Sequence, residues 1–138
     1  MGSDKIWLFD TTLRDGGQTR GVDFSRADKV AIAHALDDIG IDYIEAGWPG
    51  ANPTDDAFFA KPPKMKNAKL VSFGMTRRGG RSTANDPGLS AVIDAEVDAS
   101  CLVGKTWDFH VKTALNTTLD ENLEMIRQSL IAAADRGR

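Results

Sequence analysis

"LFDTTLRDGGQ", Leu8–Gln18, decides how the rest of the chain is read. A short apolar run ends in Asp10. Two threonines, Arg14, Asp15, two glycines and Gln18 follow. A turn after a buried strand needs one or two polar residues with set backbone roles. This one carries several more, among them two carboxylates and a guanidinium. The excess points to chemistry at the carboxyl end of a strand.

Outward from that stretch, the pattern repeats. Strands are expected at 5–10, 42–47, 68–75 and 98–104, with starts about thirty residues apart. Helices fill the intervals. "SRADKVAIAHALDDIG" (25–40) has Ser25 and Asp28 as a capping box, and Ile32, Ala35, Leu36 and Ile39 as an apolar stripe. Gly40 stops it. A short helix is expected from Pro53, and another over 86–96 with Leu89, Val92 and Ile93 on one side. Thr118 and Glu121 make a second capping box. Leu119, Leu123, Ile126, Leu130 and Ala133 form the apolar face of the last helix, which Gly137 ends.

Strand and helix alternate four times, the pattern of parallel βαβ units in an α/β fold. Two architectures fit: a small doubly wound sheet, or half of a (β/α)8 barrel, which takes ~250 residues when whole. In both, active groups gather at the carboxyl ends of the strands. There the chain puts Asp10, Arg14, Asp15 and Gln18, then Glu45, then Thr76, Arg77, Arg78 and Arg81, then Lys105, Thr106, Trp107, Asp108 and His110.

Composition sets the outer limits. The 138 residues are 41% hydrophobic and 27% charged, a globular balance for one domain. The net charge of -3 offers no basic footprint for nucleic acid and no polybasic membrane patch. No apolar run approaches the ~18 residues of a membrane span. Cys101 is the only cysteine, so a reducing, cytoplasmic setting is expected. Residues 1–3, "MGS", read as an expression remnant.

Asp15 is a hard oxygen donor suited to Mg²⁺ or Mn²⁺, or to Zn²⁺ in a mixed set. Arg14 beside it is a fixed cation able to stabilise an oxyanion. Glu45 could orient either. The plainer alternatives are a solvated Arg–Asp pair, a structural ion pair at Glu45, a structural His110, and packing roles for Trp48 and Trp107. "RRGGR" (77–81) could cradle a phosphate in a small doubly wound protein, although it has no P-loop pattern.

"DTTLRDGGQ" resembles the signature of the metal-dependent Claisen-condensing and retro-aldol barrel enzymes, the HMGL-like or DRE-TIM family. It includes citramalate, 2-isopropylmalate and homocitrate synthases and hydroxymethylglutaryl-CoA lyase. "YIEAG" (43–47), "GWPGANPTD" (47–55), "FGMTRR" (73–78) and "GKTWDFHV" (104–111) are similar to the citramalate synthase branch. The resemblance implies the first half of a TIM barrel over residues 1–138 that, with a divalent metal, joins acetyl-CoA to an α-keto acid: pyruvate, to give (R)-citramalate, or as the alternative 2-oxoisovalerate, to give 2-isopropylmalate. It implies Asp15 as a metal ligand, Arg14 and Glu45 as catalytic, and Gln18, Thr76, Arg77 and His110 around the substrates. Gly17 and Thr106 depart from the family pattern mildly. The family's late His-x-His pair is missing: His34 and His110 are the only histidines. A lone half-barrel is therefore expected to be inactive and to associate with another copy.

Overall fold

The computed structural model describes residues 5–138. The "MGS" remnant lies outside them. Four parallel strands form one sheet in the order β1-β2-β3-β4. They are β1 (Phe9–Asp10), β2 (Tyr43–Gly47), β3 (Lys69–Met75) and β4 (Ala99–Val103). The crossovers carry α1 (Arg26–Asp38), α2 (Pro53–Ala60) and α3 (Pro87–Ile93). After β4 come the short α4 (Asp108–Thr113) and the long α5 (Leu119–Asp135).

The strands alternate between two faces, as a pleated backbone must. Ile44, Ala46 and Leu70 point to the helices, where they meet Leu13, Ala33, Phe58, Phe59 and Val97 in one buried cluster. A second cluster joins Leu89 and Ile93 of α3 to Ala132 and Ala133 of α5. Gly74 faces α3 so closely that a Cβ there would lie 2.3 Å from Val92 Cγ2. Glu45, Phe73 and Cys101 occupy the opposite face.

The feet of the strands are held by carboxylates. Asp42 accepts the Leu8 N–H at 2.9 Å, and Asp98 accepts that of Leu70 at 2.9 Å. Asp37, at the end of α1, accepts three consecutive backbone N–H groups, from Lys66, Asn67 and Ala68, at 2.6, 2.9 and 2.7 Å. Burial works to raise its pKa, but those backbone donors outweigh it and hold the carboxyl below the usual range.

Several sequence expectations need correction. The first strand is Phe9–Asp10 rather than 5–10, since it lies at the sheet edge with β2 as its neighbour. In α1, Lys29, Ala33 and Asp37 are the buried positions; Ile39 is 75% exposed. Lys29 and Asp37 go inward because each finds a buried partner there. Ile32 and Leu36 of the expected stripe still pack against the core, so the face of α1 is shifted rather than reversed. The shift in α5 is likewise partial, for Ala133 is buried as expected. Asn122, Met125, Ser129, Ala132 and Ala133 are buried, whereas Leu119, Leu123 and Leu130 are exposed. The helix turns its small and polar side toward the sheet, where Ser129 accepts the Arg77 N–H at 2.8 Å. The third helix ends at Ile93 rather than 96, and a short helix not expected from the sequence, α4, follows β4. Ser25 and Asp28 do form a full capping box. At Thr118 only half of one forms, because the Glu121 carboxylate reaches Arg77 instead.

Candidate active site

The turn after β1 is wound around one carbonyl. Thr11 O accepts from the N–H groups of Arg14, Asp15 and Gly16 at 3.2, 2.8 and 3.1 Å. Asp10 fixes the approach by accepting from Thr12 N and Thr12 Oγ1 at 2.9 and 3.0 Å. This winding buries Leu13 and throws Arg14 across the end of the sheet toward β2.

There Arg14 Nε donates to Glu45 Oε1, and one terminal nitrogen donates to Asp15 Oδ1 at 2.9 Å. The guanidinium also lies 3.9 Å over the Phe73 ring, a cation–π arrangement. Trp48 meets the same ring edge-on at 5.4 Å. Glu45 is 2% exposed, so its charge needs the Arg14 partner. Asp15 is 62% exposed at the side chain, open to a ligand. A fixed cation is thus held by a buried anion, beside an exposed carboxylate. Such a set can receive negative charge developing on a bound oxygen.

Cys101 sits on the same face. Burial pushes its thiol pKa up, and the Glu45 carboxylate adds to the rise. It is a neutral thiol beside the pair.

Arg14 therefore joins Asp15 and Glu45 by a direct hydrogen bond to each. Gln18 ends the single turn Gly16–Gln18 and lines a cavity of about 200 Å³ with Arg14, Trp48 and Asn52. Thr76 lines a separate cavity of about 580 Å³ between the β3–α3 loop and residues 114–117. Arg77 is 4% exposed and committed to α5: it donates to Gln128 Oε1 at 2.7 Å and Glu121 Oε1 at 2.8 Å. Arg77 in turn holds the Glu121 carboxyl below its usual range. The "RRGGR" loop is shaped by Asp86, which accepts the Arg78 N–H at 2.6 Å and caps α3. His110 lies on α4 in an exposed aromatic group, 4.6 Å from the Trp107 ring. Neither Arg77 nor His110 touches the Arg14 group. Phe73 and Trp48 do support it, although Trp48 was expected in a packing role and Phe73 in none of its own.

No three His, Cys, Asp or Glu side chains converge to hold a metal among the described residues. Asp15 offers one oxygen donor of suitable hardness, against about six for Mg²⁺ or four for Zn²⁺. These residues alone do not complete a metal centre.

Residues 5–138 match the family model described as HMGL-like. The chain belongs to the HMGL-like family. It is 52% identical over 130 residues to (R)-citramalate synthase of Aquifex aeolicus, covering 93% of this chain and 25% of that protein. It is 53% identical over 127 residues to (R)-citramalate synthase of Geobacter sulfurreducens, covering 91% and 24%. A 2-isopropylmalate synthase of Sulfurisphaera tokodaii is 33% identical over 137 residues, with 99% and 34% covered. The chain thus spans about a quarter of the citramalate synthases it matches. HMG-CoA lyase of Bacillus subtilis superposes with a TM-score of 0.71 at 19% identity, over 96% of this chain and 44% of that one. Together with the parallel sheet, that superposition makes this HMGL-like chain a partial TIM barrel, as the sequence implied. No described helix is long and apolar enough to cross a membrane.

Proposed function

We propose that this HMGL-like chain supplies the first half of a barrel that condenses acetyl-CoA with an α-keto acid, pyruvate, to give (R)-citramalate. The observation that carries this reading is the Asp15–Arg14–Glu45 bridge at the carboxyl ends of β1 and β2. Identity above one half to two citramalate synthases supports the choice of reaction.

In the condensation, a base outside this chain takes a methyl proton from acetyl-CoA. The resulting carbon nucleophile attacks C2 of the keto acid. A C–C bond forms, and the carbonyl π pair moves to oxygen, which is then protonated. Water cleaves the thioester, leaving a carboxylate and free CoA. Arg14 faces the oxygen that gains charge, and Glu45 holds the guanidinium in place. A guanidinium fixed before the reaction needs no reorganisation at the transition state. A divalent metal supplies Lewis acidity when bound, with Asp15 as the donor from this segment. Gln18 shapes the cavity beside Arg14, and Thr76 lines the neighbouring one. Arg77 lines that same cavity with Thr76, and His110 stands on α4 beside Trp107; both are placed around the substrates in this reading.

The test uses the longer natural polypeptide that carries this chain. Thiol release from acetyl-CoA is followed with pyruvate or 2-oxoisovalerate and a divalent metal. Pyruvate turns over faster if the reading is right. Faster 2-oxoisovalerate turnover makes the protein a 2-isopropylmalate synthase. Asp15→Ala abolishes the metal-dependent rate.

A further inference from the structure

A second ion pair lies directly behind the first. Lys29 of α1 is 5% exposed, and so is Asp55 of α2. Lys29 Nζ donates to Asp55 Oδ1 and, at 3.0 Å, to the Ala46 carbonyl. Asp55 Oδ2 accepts the Trp48 N–H at 2.9 Å and Asn52 Nδ2 at 3.0 Å. Between those two backbone contacts is Gly47, with no room for a side chain: a Cβ would lie 2.6–2.9 Å from the Asp55 carboxylate.

A buried ion pair is a poor way to gain stability, since desolvation offsets much of its attraction. What this pair does is local. Glu45 pairs with Val71 and Gly47 with Ser72, so β2 carries one extra residue, Ala46. That is a β-bulge, a device that re-aims neighbouring side chains. Lys29 grips the bulged residue through its carbonyl. Asp55 grips Trp48, whose ring abuts Phe73, whose face lies under Arg14. Glu45 immediately precedes the gripped residue.

We propose that Lys29 and Asp55 are positioning residues: their buried pair locks the bulge of β2 and thereby fixes the Glu45 carboxylate and the Phe73 floor on which Arg14 rests. The role in turnover rests on the condensation reading above; the positioning itself does not.

The two are separated by measuring them apart. In the 138-residue chain, NMR follows exchange of the Arg14 Nε–H, which is protected by its bond to Glu45. Lys29→Met and Asp55→Asn each speed that exchange about tenfold, the effect of weakening one hydrogen bond. Lys29→Arg restores it. Ile93→Ala, in the separate cluster under α3 and α5, lowers stability and leaves the exchange unchanged. In the longer polypeptide, Lys29→Met lowers kcat by about 10–100-fold, as misplaced catalytic groups do, with a smaller change in the keto-acid KM. Unchanged Arg14 exchange in both folded variants overturns the inference. So does loss of the fold in both, which would make the pair a core element and nothing more. If the wild-type polypeptide releases no thiol while the exchange responds as described, the condensation reading fails and the positioning stands.

Discussion

A double-mutant cycle on Arg14 and Glu45 has an expectation that follows from their burial. Glu45 is 2% exposed and the Arg14 side chain 17%, so little water screens the pair. Two unit charges ~4 Å apart attract by about 4 kcal/mol at an effective dielectric of ~20, before desolvation is subtracted. Hydrogen bonds to charged groups contribute about 1.5–3 kcal/mol net. Asp15 is a second partner for Arg14, but an exposed ion pair contributes only about 0–1 kcal/mol. The expected coupling is therefore about 2 kcal/mol. Arg14→Met keeps an apolar stem over Phe73, and Glu45→Gln keeps the volume. Urea unfolding of the chain, its two single variants and the double variant, followed by circular dichroism, gives the cycle. With a slope of about 1–3 kcal/mol/M, a 2 kcal/mol loss moves the midpoint by roughly 1 M. A coupling below about 0.5 kcal/mol would mean a solvated pair and would refute the reasoning.

Asp37→Asn tests the foot of β3. The folded-state pKa of Asp37 is below its unfolded value of about 3.9, so its contribution is complete above that pH and fades as pH falls through the folded value. The variant is less stable near neutral pH, and its melting temperature declines less steeply between about pH 5 and pH 2. Thr118→Ala costs about 1 kcal/mol through the lost helix cap, and Glu121→Ala lowers the melting temperature further because Arg77 loses a partner. Gly74→Ala drives a methyl into Val92 and destabilises by about 1–3 kcal/mol in the same urea assay. Light scattering after size exclusion is expected to show the chain self-associated at micromolar concentration, since Leu119, Leu123 and Leu130 stand exposed on α5; a monomer would refute this.

The repeat of strands and helices was legible because period and punctuation agreed: Gly40 has φ +92° and Gly137 φ +73°, each ending its helix as read. Helix faces were legible in part: Leu89, Val92 and Ile93 of α3 are buried as expected, and Ile32 and Leu36 of α1 pack against the core. Hydrophobicity chose Ile39 and Leu123 as inward, but Lys29, Asp37 and Ser129 took those places through specific buried partners. A pattern of apolar residues cannot register a polar side chain that is satisfied only after folding. The same limit applies at the site. Arg14, Asp15 and Glu45 stood out by their excess of charge, whereas Phe73 and Asp55 matter through contacts 59 and 26 residues away in sequence, to Arg14 and Lys29. Arg77 looked like its neighbours in "RRGGR"; only the tertiary structure shows it turned toward α5.

The carboxylates at the strand feet carry a consequence for how such a protein changes over time. Asp37, Asp42 and Asp98 fasten the amino rim of the sheet, while Arg14, Asp15 and Glu45 meet at the carboxyl rim. Substitutions in the carboxyl-end loops leave those fastenings intact. The two rims can therefore drift independently: the amino rim preserves the fold while side chains change at the carboxyl rim.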